Sequence, residues 1–414
     1  MILTQTFRAR QPKSLLDELN KESGRIYTLT MLEHWRVKRK KDIWLSHYGA
    51  MRINDSLSGF TILTAHSRDA AQDGFYEACK TTKALKKVGI EAKYPYHRKK
   101  YRSTVWKKDS VRVKNGKMFL PKSRGMKPVV VPLPKHLQGL EFLEVRLVFD
   151  FKHGKYDWHV VCDDKIEPSK STGSEVVAVD LGEIHPAAAC TEKEAVVFSA
   201  RELRSIIQGH NKSKAELTEK QSRCKKYSLR WKKLQRAKNK KAGKFKLKQR
   251  DICHKVSKAV VDFAEEHNAN TIVIGDIRDA ADEVSLGKVS NQKISQWPHG
   301  ILQKYIEYKA KRKGIETKLQ NEAYTSQTCP SCGNRKKPRG RVYKCSKCGW
   351  QGSRDGQVGA ANILSLAKYG ELSRVLIPET KYRYPYLVRD EGKRSYADTI
   401  QVVCKDELQK AAGF

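Results

Sequence analysis

The chain begins with a strand-like alternation of apolar and polar residues, and residues 13–90 then show the spacing of amphipathic helices. Strand-like runs return after that segment, and Asn115-Gly116 is the dipeptide typical of a two-residue hairpin turn. The pattern predicts a small β-barrel, built from residues 1–12 and 91–172, with a helical insertion.

A linker-like stretch, residues 166–174, separates this half from a second half in which strands and helices alternate. We predict three antiparallel strands, a helical region, a strand, a helix, a fifth strand and a final helix. Their ranges are 175–199, 201–266, 271–276, 298–313, 315–324 and 355–367. Crossovers would add the fourth and fifth strands parallel to the first. This order is that of an RNase H-like fold, so the predicted class is α+β with more than one domain.

The composition and the net charge of the chain restrict the range of functions that it could have. The chain has 414 residues, enough for two or three domains of about 150 residues each. Its 83 Lys and Arg against 45 Asp and Glu give a formal net charge of +38. An ordinary metabolic enzyme needs no such excess, which attracts polyanions and favours a nucleic-acid partner. With 39% hydrophobic residues the chain can form a core, so it is not a disordered basic tail.

The distribution of apolar residues argues against a secreted protein and against a membrane protein. No apolar run approaches the roughly 18 residues that a membrane helix needs, and the N-terminal segment lacks the apolar centre of a signal peptide. The basic residues do not form one amphipathic helix that would lie on a membrane surface. We therefore expect a cytoplasmic protein with no membrane partner.

Two stretches concentrate the positive charge. Residues 93–127 hold thirteen Lys or Arg and one acidic residue, and residues 211–250 hold seventeen and two. A charge-rich helix is often only a solvated surface, but so long a run of one sign favours a helical hairpin that faces phosphates. Four aromatic residues of the first stretch could stack on bases or pack in the barrel core, and the sequence leaves both open. They are Tyr94, Tyr96, Tyr101 and Trp106.

The ten cysteines divide into two groups. Four form two Cys-x₂-Cys pairs, Cys329 with Cys332 and Cys345 with Cys348, separated by twelve residues. Such knuckles place four thiolates around one tetrahedral Zn²⁺, and a site filled by four protein ligands is structural. Disulfides are rare in the cytoplasm, so the other six are expected to be reduced thiols. These are Cys79, Cys162, Cys190, Cys224, Cys253 and Cys404.

Two aspartates are candidates for catalysis. Asp180 ends the first predicted strand of the second half, and Asp355 opens the last predicted helix. Taken alone, an Asp before Gly is most often a turn residue, and an Asp before a helix is most often a cap. Their joint positions, beside a predicted zinc ribbon, favour two carboxylates that share two Mg²⁺ ions for phosphodiester cleavage.

The sequence resembles the TnpB family of transposon-encoded RNA-guided nucleases, relatives of the type V CRISPR effectors. The resemblance rests on VAVDLGEIHPAAA, TIVIGDIRD, AYTSQTCPSCGN with YKCSKCGW, and RDGQVGAANIL. It is specific over about residues 175–367 and extends in layout across residues 1–165.

The resemblance implies an N-terminal wedge barrel that carries a helical recognition insert, residues 13–90. The second half would be a RuvC-type nuclease domain that a zinc ribbon interrupts and a C-terminal tail follows. The implied segments are nuclease 173–325 with its basic helical hairpin 201–266, zinc ribbon 326–352, nuclease 353–368 and tail 369–414.

The partners follow from the same resemblance. It implies a guide RNA encoded at the transposon end and a double-stranded DNA target, with the protein recognising a short flanking duplex motif. Basic residues of the zinc-ribbon loop would then contact a DNA strand near the active site. They are Arg335, Lys336, Lys337, Arg339 and Arg341. The protein would act at the nucleoid of a prokaryotic cell. The sequence does not distinguish a monomer from a dimer.

The family's first and last RuvC aspartates fall on Asp180 and Asp355, but the chain departs from the family at the third metal ligand. The usual Glu at the end of the fourth strand is Gly275 here. We predict that Glu322, at the end of the fifth strand, replaces it, as a relocated glutamate does in some family members. Glu183 and Asp276 are weaker candidates.

Two main hypotheses therefore stand. The first is an RNA-guided DNA endonuclease that holds two Mg²⁺ through Asp180, Glu322 and Asp355. The second is a nuclease-inactive RNA-guided DNA-binding protein, a repressor, that has lost the usual glutamate. A strand-transferring transposase is a weak third, because no tyrosine nucleophile stands beside a His-hydrophobic-His motif.

Overall fold

The computed structural model describes residues 2–57, 59–151, 153–165, 167–276 and 287–385, together with the backbone of three short strands after them. The chain forms two compact units, Met1–Ile166 and Glu167–Phe414. Their boundary falls inside the stretch that the sequence marks as a linker.

The described residues of the first unit form seven strands and three α-helices. The strands are β1 (Ile2–Arg8), β2 (Thr104–Lys107), β3 (Arg112–Lys114), β4 (Lys117–Leu120), β5 (Val129–Pro132), β6 (Glu141–Asp150) and β7 (Lys155–Asp163). The helices are α1 (Lys13–Lys41), α2 (His47–Leu57) and α3 (Ala65–Lys87). The inserted segment is therefore helical, as its spacing predicts.

The strands of the first unit form two antiparallel sheets around one core. One sheet has the order β1-β7-β6-β2 and the other β3-β4-β5. Alternate residues of β7 are buried, so Trp158 points inward and packs against Trp106 of β2 at 5.8 Å between ring centroids. Met118 and Val131 of the second sheet belong to the same core. Trp106 is thus a core residue, and closure into a barrel stays a prediction.

A buried asparagine anchors the helical insertion to the larger sheet. Oδ1 of Asn20 accepts from the amide and the hydroxyl of Thr104, at 3.0 and 2.9 Å, and Nδ2 donates to the carbonyl of Leu147 at 3.3 Å. These bonds satisfy a polar group that would be costly to bury alone. They fix α1 against β2 and β6.

The second unit begins with an alternation of strands and helices. Its first elements are β8 (Glu175–Asp180), β9 (Ala187–Cys190), β10 (Ala195–Phe198), α4 (Arg201–Ser222), α5 (Leu229–Glu266), β11 (Ala269–Asp276), α6 (Lys288–Gln296), α7 (His299–Arg312) and β12 (Glu316–Asn321). The later elements are β13 (Val342–Lys344), β14 (Gln351–Ser353), a π-helical segment (Arg354–Ala360), α8 (Ala361–Tyr369), β15 (Thr380–Arg383), β16 (Leu387–Asp390), β17 (Lys393–Tyr396) and β18 (Ile400–Val402).

The large sheet has the order β12-β11-β8-β9-β10-β15-β18. β9 is antiparallel to both β8 and β10, whereas β11 is parallel to β8 and β12 is parallel to β11. The strand order and directions predicted for the first five strands are confirmed. β9 and β10 are fully buried because apolar clusters cover both faces of the sheet.

The C-terminal segment contributes to this sheet, which its assignment as a tail did not anticipate. β15 pairs in parallel with β10, and β18 pairs antiparallel with β15. Residues 386, 391–392, 397–399 and 403–414 lie outside the description, as do residues 277–286 with the last three positions of the TIVIGDIRD motif. None of the helices in the described ranges is both long and apolar enough to span a bilayer.

Half-buried Lys309 joins α7 to α5. Its Nζ donates to the hydroxyl of Ser257 at 2.6 Å and to the carbonyl of His254. Burial, more than any neighbouring charge, lowers the pKa of Lys309 to about 8. The unfolded chain keeps this proton up to roughly pH 10.4. Between these values the unfolded state binds more protons, so Lys309 makes the free energy of unfolding rise with pH.

We expect Lys309→Met to lose that increase in the free energy of unfolding between about pH 8 and 10. Chemical denaturation at one pH value within this window and at one below it measures the free energy of unfolding of variant and wild type. Lys311→Met removes an exposed charge from the same helix and should keep the wild-type dependence. An unchanged pH dependence in Lys309→Met would contradict the lowered pKa.

Candidate active site and zinc site

Three carboxylates lie at one edge of the large sheet. Asp180 is the last residue of β8, and the parallel strand β11 ends at Asp276. β12 runs parallel to β11 and ends one residue before Glu322. Parallel strands deliver their carboxyl ends to the same edge of a sheet. The fold therefore places these three residues on that edge, as predicted for Asp180 and Glu322.

Gly275 leaves the space that Glu322 occupies. A β-carbon on Gly275 would lie 2.3 Å from Oε2 of Glu322 and 2.9 Å from Cδ1 of Ile363. Real β-carbons do not approach other atoms so closely. A side chain at position 275 and this conformer of Glu322 consequently exclude one another.

The turn after β12 fixes the backbone of Glu322. The amide and the hydroxyl of Thr325 both donate to the carbonyl of Glu322, at 3.1 and 2.9 Å. Buried Asn362 of α8 donates to the carbonyls of Thr325 and Thr328, both at 2.8 Å. The last helix is thereby tied to the turn that carries Glu322.

The segment with Asp355 packs on Asp180. Asp355 lies in the first turn of the π-helical segment, whose N-terminus is capped by Ser353 accepting from the amide of Gly356 at 3.3 Å. A β-carbon on Gly359 would lie 2.1 Å from Oδ2 of Asp180. Glycine alone permits this approach, which brings Asp355 to the edge that already holds Asp180.

Burial and neighbouring carboxylates raise the pKa values of Asp180 and Glu322. Burial, followed by the negative charges of Glu322 and Asp355, raises the pKa of Asp180 well above its usual value. Burial, followed by the charge of Asp276, raises the pKa of Glu322 to about 7. Each shift reports that adding negative charge here is unfavourable. A cation placed among the four groups would therefore be bound favourably.

Two arginines supply part of the opposing charge. Nη1 of Arg341 donates to both carboxylate oxygens of Asp355, at 3.0 and 3.1 Å. The charge of Arg354 interacts with those of Arg341, Asp355 and Asp180, and burial lowers the pKa of Arg354. The sequence assigned Arg341 to a DNA-contacting loop, whereas the structure places its guanidinium on a candidate metal ligand.

Sequence analysis assigned no role to Arg354, His185 or Tyr382. His185 is buried after β8, and this burial lowers its pKa to about 4. Its ring packs edge-on against Tyr382 of β15, with 5.8 Å between centroids. Arg354 could have been found from its place next to Asp355. Tyr382 could not, because its position depends on the pairing of β15 with β10.

The four cysteines of the knuckles come together. Sγ of Cys329 lies 3.7 Å from that of Cys348, and Sγ of Cys332 lies 3.6 Å from that of Cys345. A tetrahedral Zn²⁺ with Zn–S bonds of about 2.3 Å separates its sulfurs by about 3.8 Å. Backbone amides, that of Cys348 foremost, lower the pKa of Cys345 to about 6, which favours the thiolate. The cluster could therefore hold zinc, as predicted.

The hairpin of this cysteine site carries Arg341 to Asp355. β13 and β14 pair antiparallel, with Val342 opposite Ser353. One step beyond that pair, the amide of Arg354 donates to the carbonyl of Arg341 at 2.9 Å. The register thus sets Arg341 opposite the start of the π-helical segment.

Glu183 and Asp276, the two weaker candidates for the third metal ligand, have different surroundings. The Glu183 carboxylate lies 3.3 Å from Nε of Arg204 and forms an ion pair with it. Asp276, in contrast, is close enough to raise the pKa of Glu322. Among the described residues the cysteines are the group whose ligand atoms all lie within 4.8 Å of one another. The carboxylate oxygens of Asp180, Glu322 and Asp355 do not all lie within that distance of one another.

Two family models match the chain in these regions. Residues 159–281 match OrfB_IS605, described as a probable transposase, and residues 299–363 match the TNB domain of Cas12f1-like proteins. A TnpB-like protein of Methanocaldococcus jannaschii is 34% identical over 134 residues, which are 32% of this chain and 48% of that protein. The predicted resemblance to the TnpB family is confirmed.

A second relative extends the comparison beyond TnpB itself. The CRISPR-associated endodeoxyribonuclease Cas12f1 of Sulfoacidibacillus thermotolerans is 30% identical over 105 residues, 25% of this chain and 24% of that protein. The chain thus spans less than half the length of these curated relatives. The cryo-EM structure of a Cas12f1–sgRNA–target DNA complex has a TM-score of 0.54 at 14% identity, covering 81% of this chain and 80% of that one. The TnpB-like sequence therefore has a mixed α+β fold similar to that of Cas12f1.

We expect the chain to bind one equivalent of Zn²⁺ and Cys345→Ser to lose it, because three thiolates leave the tetrahedron incomplete. Metal content by mass spectrometry measures the loss, and a lower melting temperature should accompany it. Cys224→Ser alters a half-buried cysteine outside the cluster and should keep full zinc content. Full zinc content in Cys345→Ser would contradict the assignment.

The pKa of Glu322, raised to about 7 from 4.5, gives a second prediction. Between these values the folded state holds a proton that the unfolded state has lost, so ionisation destabilises the fold as pH rises. We expect Glu322→Gln to melt above wild type at about pH 7.5, by ~2–4 °C per kcal/mol, and level with it near pH 4, where the carboxyl is protonated in both states. Thermal unfolding in Mg²⁺-free buffer measures the difference.

Glu316→Gln is the matched control, since this carboxylate is exposed on the same strand. It should follow wild type at both pH values. An equal difference between Glu322→Gln and wild type at the two pH values would show that Glu322 does not titrate in this window.

Proposed function

We propose that this chain is an RNA-guided DNA endonuclease of transposon origin, with a RuvC-like site formed by Asp180, Glu322 and Asp355. The contact between Gly275 and Glu322 carries the proposal. The carboxylate fills the space that the absent side chain leaves at the end of the fourth strand. A chain that had merely lost its ligand would gain nothing from a half-buried carboxylate at this place, whose raised pKa marks it as destabilising.

The proposal extends to the domains. We assign the first unit to a wedge barrel with a helical recognition insert, residues 13–90. The second unit is assigned to an RNase H-like RuvC domain, residues 173–325 and 353–368, interrupted by a zinc ribbon, residues 326–352. The strand order and directions of the large sheet support the second assignment.

Magnesium suits the donor set of the site. Mg²⁺ prefers carboxylate oxygens and usually retains several waters. Two-metal sites that act on phosphodiesters place their ions about 3.5–4 Å apart, and Asp180, Glu322 and Asp355 would hold the ions from three different elements of the fold. When bound, such ions stabilise the attacking and leaving oxygens of a phosphodiester.

The residues of the chain prepare the site for this chemistry. Asp180 occupies the centre of the edge, and the lack of a side chain at Gly359 leaves room for its carboxylate. Glu322 is held by the turn that Asn362 ties to α8. Arg341 orients Asp355 through its two hydrogen bonds and offsets negative charge at the same place.

The basic stretches supply the nucleic-acid surface of the proposal. Lysines and arginines of residues 211–250 lie on α4, α5 and the turn between them, most of them exposed. Contacts of this kind recognise phosphates rather than base sequence. Specificity would come from a guide RNA derived from the transposon end, paired with double-stranded target DNA beside a short flanking motif.

The alternative, a nuclease-inactive RNA-guided DNA-binding protein, rests on Gly275 itself. It shares every binding surface with the endonuclease and differs in the fate of the phosphodiester bond. Cleavage by the purified ribonucleoprotein therefore separates the two hypotheses.

We expect Glu322→Gln to lower the cleavage rate roughly 100-fold or more while target binding is retained. The chain is coexpressed with its flanking genomic DNA so that guide RNA copurifies, and cleavage of matching DNA is followed with Mg²⁺. Glu183→Gln makes the same change in charge at the carboxylate paired with Arg204 and should cleave like wild type. Mg²⁺ should also raise the melting temperature of wild type more than that of Glu322→Gln.

Three results would count against parts of the proposal. Wild-type cleavage by Glu322→Gln would remove Glu322 from the site. Wild-type binding without cleavage would favour the inactive protein. A purified chain that carries no RNA and binds no DNA would overturn both hypotheses.

A further inference from the structure

The helical insertion contains an aromatic cavity of about 280 Å³ that opens beside α3. Tyr76, Cys79, Lys80 and Lys83 line it from one face of that helix, since they stand three or four positions apart. Trp44, from the segment between α1 and α2, and Tyr94, from the chain after α3, complete the lining. The cavity lies wholly within the first unit and uses none of the residues of the candidate active site.

The aromatic walls are fixed before any ligand arrives. The ring of Trp44 lies 5.4 Å from that of Tyr94, and Trp35 lies 5.9 Å from each of them. Nε1 of Trp35 donates to the carbonyl of Pro95 at 2.8 Å, which anchors the chain that carries Tyr94. Trp44 nevertheless remains 45% exposed. A large aromatic ring held rigidly toward solvent is a preorganised stacking surface.

Positive charge surrounds the opening of the cavity. Lys80 and Lys83 are exposed at its rim, and Nζ of Lys86 lies 4.7 Å from the centre of the Tyr94 ring. Glu77 lies 3.9 Å from Lys80, a distant and exposed pairing that leaves the lysine available to another anion. This rim repels cationic ligands and favours an anion attached to a flat ring.

We propose that this cavity binds one unstacked nucleotide of a single strand, with the base against Trp44 and Tyr94 and its phosphate at Lys80 and Lys83. The volume lies just below the roughly 300–1,000 Å³ of drug-sized pockets, which suits one base rather than several. Stacking on aromatic rings contributes about 1–3 kcal/mol per base and tolerates any base. The proposal stands apart from the proposed endonuclease activity, because it concerns binding alone.

Trp44 provides the probe for the test. The full chain, freed of copurified RNA, is titrated with a thymidylate hexamer, a uridylate hexamer and an abasic deoxyribose hexamer while tryptophan emission is recorded. We expect saturable quenching by the first two hexamers and none by the abasic one, which has the phosphates but no bases. In Trp44→Phe the quenching should fall to the part contributed by other tryptophans, such as Trp231 in the basic stretch 211–250. Comparison of the two base-containing hexamers tells whether an RNA or a DNA strand is the better ligand.

A double variant separates the phosphate contact from general electrostatics. Lys80→Gln with Lys83→Gln should weaken the Trp44 signal at least fivefold in Kd, whereas Lys40→Gln with Lys41→Gln removes equal charge from the exposed end of α1 and should not. Equal quenching in Trp44→Phe and wild type, or by the abasic hexamer, would overturn the proposal. So would equal weakening by the two double variants. None of these readouts depends on cleavage, so a chain that fails to cleave DNA can still show or lack binding in this cavity.

Discussion

The second unit is organised around an electrostatic constraint: several carboxylates must share the buried edge of one sheet. Parallel strands bring Asp180, Asp276 and Glu322 to that edge, and the π-helical segment adds Asp355. Burial, followed by the neighbouring carboxylates, raises the pKa values of Asp180 and Glu322, and Arg341 and Arg354 offset part of the negative charge. The surroundings are accordingly specialised, with glycines where carboxylates approach the backbone and a buried asparagine holding the turn. The fold maintains a charge arrangement that by itself opposes folding, which is common at sites that bind cations.

The cysteine cluster belongs to the same arrangement. Its hairpin, β13 and β14, ends beside the carboxylates, so the fold of the zinc site decides where Arg341 lies. A structural metal can in this way influence a catalytic edge without contacting it. The hairpin lies between β12 and α8 in the chain, where its register places Arg341 beside Asp355.

Much of this could be predicted from sequence, and the failures have physical causes. The zinc ligands and the directions of the first five strands follow from local spacing and from buried apolar runs, which are properties of short segments. Arg341 was assigned to nucleic acid because a basic loop gives no indication of an acidic partner fourteen residues later. β15 was missed because its short and partly polar sequence forms a strand only beside β10. The position of Glu322 at the sheet edge follows from the predicted topology. Its contact with Gly275 does not, because it depends on how the ends of two strands pack together.

That contact has a consequence for how such sites change over generations. Because a β-carbon at 275 would meet the carboxylate of Glu322, a side chain at 275 requires that carboxylate to take another conformer. Restoring a glutamate at 275 in this background would force two acidic groups into one space, and removing Glu322 alone would leave none. The ligand can move between neighbouring strands only through an intermediate in which one of them adopts another rotamer. The meaning of a glycine at the end of the fourth strand therefore depends on the residue that follows the fifth strand, because the two share one space.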